Sequence, residues 1–252
     1  MSTPEGSTEP TAPPAEPRVG LTWRKVGVRG AIAVAALFVI LMIIEQFINP
    51  FVVTFVVVFL VGAWWANRGG RGGLIFLAII SVVFVIMNIP FIIPSLSAPA
   101  SWLDFTSTTF ILLGTITAAV GSIAALRSGS VETAGPRTFS RVIGALVVIA
   151  IVVSAVATFT FDDATKQEGD IALTAQDTEF STETLDADSG PVAVYIENKD
   201  PFLHTFTIDD LDVDVTIPSG SSVRVVFDAE PGEYKFYCRP HKPDMHGELT
   251  VQ

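Results

Sequence analysis

The chain has 252 residues, half of them hydrophobic, a formal net charge of −11 and a single cysteine. That cysteine count excludes a disulfide framework, and so apolar a composition excludes an ordinary soluble protein. The charge is split: residues 1–160 hold nine Lys/Arg against six Asp/Glu, a net of +3, whereas residues 161–252 hold six against twenty, a net of −14. Two unlike parts follow, and the acidic one repels nucleic acid and attracts basic partners.

In chain order, residues 1–17 are rich in Pro, Thr, Ser and Glu with nothing to bury, and read as a disordered tail. Arg18, Arg24, Lys25 and Arg29 close a basic-ended segment, 1–29, expected in the cytoplasm. A transmembrane helical part is expected over 30–160, a polar linker over 161–170 and a β domain over 171–252. About 20 apolar residues make one crossing, which predicts five spans: Gly30–Ile48, Phe51–Ala66, Leu74–Pro94, Thr108–Leu126 and Val142–Thr160. Only Asn49 and Pro50 join the first two, so four crossings are the alternative. The charges favour five: with the amino terminus inside, all nine basic residues of the first 160 fall on inner segments and none on the outer turns. Five crossings put the carboxyl terminus outside the cytoplasmic membrane, as a multi-pass protein. Trp23, Trp64, Trp65 and Trp102 then lie near the interfaces.

The spans are informative through what they lack. They contain no histidine or cysteine, which excludes haem held by paired imidazoles and a thiolate copper relay, and Met42 and Met87 are isolated. Glu45 is the one ionisable residue well inside a span. It reads either as a proton or partner site or as a carboxylate reaching the outer interface. The Gly- and Arg-rich stretch at 68–73 is a basic inner loop and no phosphate loop, because no Lys-Ser/Thr follows.

Beyond the linker the text changes to short alternating runs with turn punctuation. Strands are expected at Ile171–Ala175, Pro191–Glu197, His204–Ile208, Leu211–Ile217, Ser222–Phe227, Glu233–Cys238 and Gly247–Val251. Seven such strands predict an all-β Greek-key sandwich.

The chemistry is concentrated at the end of this domain. Cys238, His241 and Met245 stand on one short loop, and His204 on an earlier strand. In Tyr234–Cys238 the alternation places Cys238 on the face of Tyr234 and Phe236; in His204–Ile208 it places His204 with Phe206 and Ile208. Both side chains therefore point into one interior. Two imidazoles, a thiolate and a weak thioether form the ligand set of a mononuclear blue-copper site, which suits both oxidation states of copper. His246, beside Met245, is a rival axial donor, but reads as a solvated side chain on the other face of the last strand. All three histidines of the protein fall in this domain, which disfavours the reading of these residues as inert core.

The Cys-x2-His text and the pattern N-x-D-x3-H-x-F-x-I, from Asn198 to Ile208, resemble the cupredoxins of the plastocyanin and azurin type. The resemblance covers the last 80 or so residues. It implies one type 1 copper, with Cys238 as thiolate ligand, His204 as buried imidazole, His241 as the exposed ligand and electron port, and Met245 as axial ligand. Pro240, Pro243 and Phe202 would rim the port. The function implied is a membrane-anchored electron carrier and not an enzyme, since a multicopper oxidase needs far more than three histidines. Its partner would be a redox protein, with a basic docking face steered by acids such as Asp209, Asp210, Asp212 and Asp214. Two rivals stay open: an extracytoplasmic copper-handling protein, and a membrane protein that uses the sandwich as an interaction module.

Overall fold

In the computed structural model, residues 21–44, 46–128, 134–242 and 244–252 are described. The tail 1–17, Arg18, Glu45 and Pro243 lie outside them.

Five helices come first: α1 (Trp23–Ile44), α2 (Pro50–Asn67), α3 (Arg71–Ser97), α4 (Trp102–Ser128) and α5 (Gly135–Phe159). Each is long and apolar enough to cross a membrane. Within hydrocarbon a helix satisfies most of its backbone N–H and C=O groups internally, which is why such long apolar runs take this form. The helices extend past the apolar runs, so that α1 starts at Trp23 and α3 takes in the basic Arg71. The tight turn between α1 and α2 is a helix start: Asn49 Oδ1 accepts the Phe51 N–H at 2.9 Å and Pro50 occupies the first helical position. At the opposite end of the bundle the Arg24 guanidinium donates to the carbonyls of Ala66, Gly69 and Gly70, closing the end of α2.

Glycines let α1 and α4 approach closely. A Cβ placed on Gly121 would lie 2.3 Å from the Gly27 nitrogen, and one on Gly30 would lie 2.7 Å from Gly114 O. Small residues at such crossings are how helices pack in lipid, where burial of apolar surface gives no driving force. Phe84 of α3 meets Phe38, Phe55 and Phe59 edge-on, at 5.8, 4.8 and 5.6 Å between centroids.

The rest is a two-sheet sandwich of nine strands. They are β1 (Ile171–Gln176), β2 (Glu179–Phe180), β3 (Thr184–Ala187), β4 (Gly190–Asn198), β5 (His204–Ile208), β6 (Val213–Ile217), β7 (Ser222–Ala229), β8 (Gly232–Tyr237) and β9 (His246–Val251). One sheet runs β2-β1-β4-β7 and the other β3-β9-β8-β5-β6. The pairs β1–β4 and β3–β9 are parallel and the others antiparallel. Val192, Val194 and Ile196 alternate inward from β4 to meet Phe206, Ile208, Phe236 and Leu249 of the facing sheet.

Two strands were not expected, β2 and β3. They lie in the polar stretch 176–189 and bury only Phe180 and Leu185, too few apolar residues to show a period. Leu211 falls in a 3-10 turn, Asp209–Leu211, and Asp212 has φ 53°. The strand expected from Leu211 therefore starts at Val213, because the reversal after β5 uses up those residues.

Candidate metal centre

The four residues singled out converge at one end of the sandwich. Strands β5 and β8 are neighbours, with Thr207 opposite Tyr237, so His204 at the start of one stands beside Cys238 just past the end of the other. His204 and Cys238 have no solvent exposure. Cys238 Sγ lies 3.6 Å from His204 Nδ1 and 3.5 Å from His241 Nδ1, and the three donor atoms lie within 4.8 Å of one another.

Those separations decide between a hydrogen bond and an ion. A thiol has one proton and can serve only one imidazole, yet both nitrogens sit equally close. A first-row ion held at about 2.0–2.1 Å from nitrogen and about 2.3 Å from sulfur, near tetrahedral, sets them about 3.6 Å apart. The trio thus has the spacing of ligands around one ion.

Its surroundings fix the chemistry. His204 Nε2 donates to Asp200 Oδ2 at 2.8 Å, which leaves Nδ1 as the lone-pair nitrogen facing sulfur, as a ligand requires. Asp200 is held in turn by the Asp177 and Thr178 N–H groups at 2.8 and 3.0 Å. Burial pushes the Asp200 carboxyl up, but those two N–H groups and His204 outweigh it, leaving its pKa below the ordinary value. Asn198 organises the same loop: its amide nitrogen donates to the carbonyls of Phe202, Ile217 and Pro218, and its Oδ1 accepts the Asp200 N–H. Asp200 was visible in sequence as part of the N-x-D-x3-H pattern, but a pattern does not say which donor the carboxylate meets.

Both imidazoles are tuned to stay neutral. Burial lowers the pKa of His204 against the opposing pull of Asp200. Burial, reinforced by His204, takes His241 down to about 4. Burial raises the Cys238 thiol, partly offset by N–H groups of Thr205 and His241; a bound cation would reverse that and hold a thiolate. The Thr205 N–H already donates to Sγ at 3.3 Å.

The loop from Cys238 to Met245 is closed by its own backbone. The Cys238 N–H donates to Met245 O and the Met245 N–H to His241 O, each at 2.9 Å. Met245 is fully buried, in the same core cluster as Cys238, whereas His246 is exposed and opens β9 opposite Tyr237. His204, Cys238, His241 and Met245 accordingly form a site of type 1 copper character. Pro240 and Phe202 are half-buried near it. Two acids expected to steer a partner are engaged inside the domain: Arg239 pairs with Asp214 and Asp209, and the Tyr237 hydroxyl donates to Asp209 at 2.8 Å.

Residues 145–251 match the family model described as a cupredoxin-like domain, a stretch that begins within α5. Among solved structures, a reduced Cu(I) form of an amicyanin mutant at pH 4 is 19% identical with a TM-score of 0.32, covering 36% of this chain and 90% of that one. Amicyanin from Paracoccus versutus is 16% identical with a TM-score of 0.31, covering 34% and 85%. No curated protein matches.

Proposed function

We propose that this chain, whose C-terminal sandwich is a cupredoxin-like domain, is a membrane-anchored blue-copper protein that carries single electrons outside the cytoplasmic membrane. The observation that carries the reading is the trio of buried His204, buried Cys238 and half-exposed His241, whose donor atoms are gathered within 4.8 Å, with Met245 buried in the same core cluster as Cys238. Bound there, copper would supply a one-electron couple. The protein supplies a rigid donor set on two strands and a backbone-closed loop, so that gain or loss of an electron needs little rearrangement. His241, half-exposed, is the ligand through which electrons would enter and leave.

The orientation is supported by charge. The helices alternate in direction, so Arg24, Lys25, Arg29, Arg68, Arg71, Arg127, Arg137 and Arg141 all lie toward the end of the bundle opposite the sandwich. A cytoplasmic basic end puts the sandwich outside. The excess acidity of residues 161–252 favours a redox protein with a basic docking face. The reading is of a carrier and not of an enzyme.

The test is spectroscopic, on the full chain in detergent with one equivalent of Cu(II). The carrier reading expects an intense thiolate-to-copper absorption, narrow copper hyperfine splitting and reversible one-electron reduction, all lost in Cys238→Ser. Weak spectra of exposed copper would overturn it. An irreversible loss of the ion on reduction would instead favour copper handling.

A further inference from the structure

The ligand-bearing end of the sandwich faces its own membrane-spanning part. Asp104, in the first turn of α4, accepts the Leu203 N–H on Oδ2 at 2.8 Å, and Leu203 is the residue before the ligand His204. The Ser101 hydroxyl oxygen, fully buried, accepts the Ser219 N–H at 3.2 Å. Ser219 follows the end of β6, where Ile217 pairs with His204. Both bonds therefore grip the loops that flank one ligand.

The platform that grips is itself braced. Ser154 and Thr158 of α5 donate their hydroxyls to the carbonyls of Pro99 and Ala100 at 2.9 and 3.0 Å. The linker leaving α5 is tied to the same end of the sandwich: the Ala164 N–H donates to Ser222 O, the Ser222 N–H to Asp163 Oδ1, and the Ser222 hydroxyl to Ala164 O. With attachments at α4 and at the linker, the domain has no single hinge about which to swing. Trp102, half-exposed between Ser101 and Leu103, is the residue type that settles at the lipid headgroups.

We propose that Ser101 and Asp104 are positioning residues of the metal centre: they hold its ligand-bearing end against the outer membrane surface, so that its electron partner is a redox protein of that same membrane. This rests on the carrier reading above. Distance supplies the reason. Strand β4 has nine residues running away from this end, so a protein docked on the water-facing end stays about 25 Å from the ligands. Electron transfer falls steeply with distance. The ring of His241 lies 5.0 Å from that of His204, on the membrane side of that span.

The experiment uses the copper-loaded full chain in nanodiscs whose lipids carry a nitroxide on the headgroup. Paramagnetic Cu(II) held at the surface should speed relaxation of the nitroxide, and reduction to diamagnetic Cu(I) should abolish the effect. The double variant Ser101→Ala, Asp104→Ala, which keeps the linker's own bonds to Ser222, should keep its blue absorption and lose part of the enhancement. Asp104→Asn, which keeps an acceptor for the Leu203 N–H, should retain it. Blue wild-type protein without the enhancement, or a double variant with all of it, overturns the positioning. In proteoliposomes, fusion with washed host membranes should bleach the band, and the soluble extracytoplasmic fraction should not; equal bleaching overturns the membrane-held partner. A wild type that never turns blue fails earlier, at the carrier reading.

Discussion

The Asp200 carboxylate would act on a bound copper through a single hydrogen bond, the one it makes to His204. By accepting the His204 Nε2–H it fixes the tautomer, orients the ring and makes Nδ1 a stronger donor, which favours the more highly charged Cu(II). It is itself oriented by two backbone N–H groups, so it cannot turn away without cost. Asp200→Ala should weaken Cu(II) binding about 10–100-fold, read by competition with a chelator, and raise the reduction potential. Cu(I) affinity should change less, because the softer ion depends more on sulfur. Equal loss for both ions would mean that the loop had collapsed and that the carboxylate had been only structural.

At the scale of elements, the site is as well determined by β9 as by the strands that carry its ligands. Gly247 sits where β9 passes between β3 and β8; a Cβ there would lie 2.3 Å from Phe236 Cζ and 2.5 Å from Glu183 O. Gly247→Ala must displace either a core ring or a backbone segment. A loss of roughly 1–3 kcal/mol is expected from overpacking of this kind, measured as a lowered denaturation midpoint of the copper-free protein. An unchanged midpoint would mean that the Phe236 ring moves aside freely. This contact also shows why some of the fold was legible in sequence and some was not. His204 and Cys238 could be placed on one interior because β5 and β8 alternate regularly up to the ligands. Strands β2 and β3 could not be read, since each is held by one buried apolar side chain and otherwise by its neighbours' backbone. The grip of Ser101 and Asp104 was equally out of reach: Leu203 lies 99 residues from Asp104, and a serine before a helix and an aspartate in its first turn name no partner so distant in sequence.

For the whole molecule, two properties independent of copper converge on one topology. The first is the count of helices, since an odd number of antiparallel crossings separates the amino end of α1 from the carboxyl end of α5. The second is the confinement of basic residues to the bundle end away from the sandwich. Opposite ends of the chain on opposite sides of the membrane is therefore the arrangement to test, and a single-cysteine background makes the test clean. In Cys238→Ser, Glu230→Cys places a thiol on an exposed residue beside the β7–β8 turn, and Asn67→Cys places one on an exposed residue at the last turn of α2. A membrane-impermeant maleimide added to intact cells should label position 230 and not position 67, and after lysis it should label both. The reverse pattern would put the sandwich in the cytoplasm, where a reducing thiol pool would compete for the metal and the acidic domain could not meet an outer partner. Labelling of both positions in intact cells would indicate an even number of crossings between them where α3, α4 and α5 make three, and would separate the helix count from the charge rule. Only the first pattern leaves the metal centre where the grip of α4 would be useful, at the outer surface and within reach of other proteins in the same bilayer.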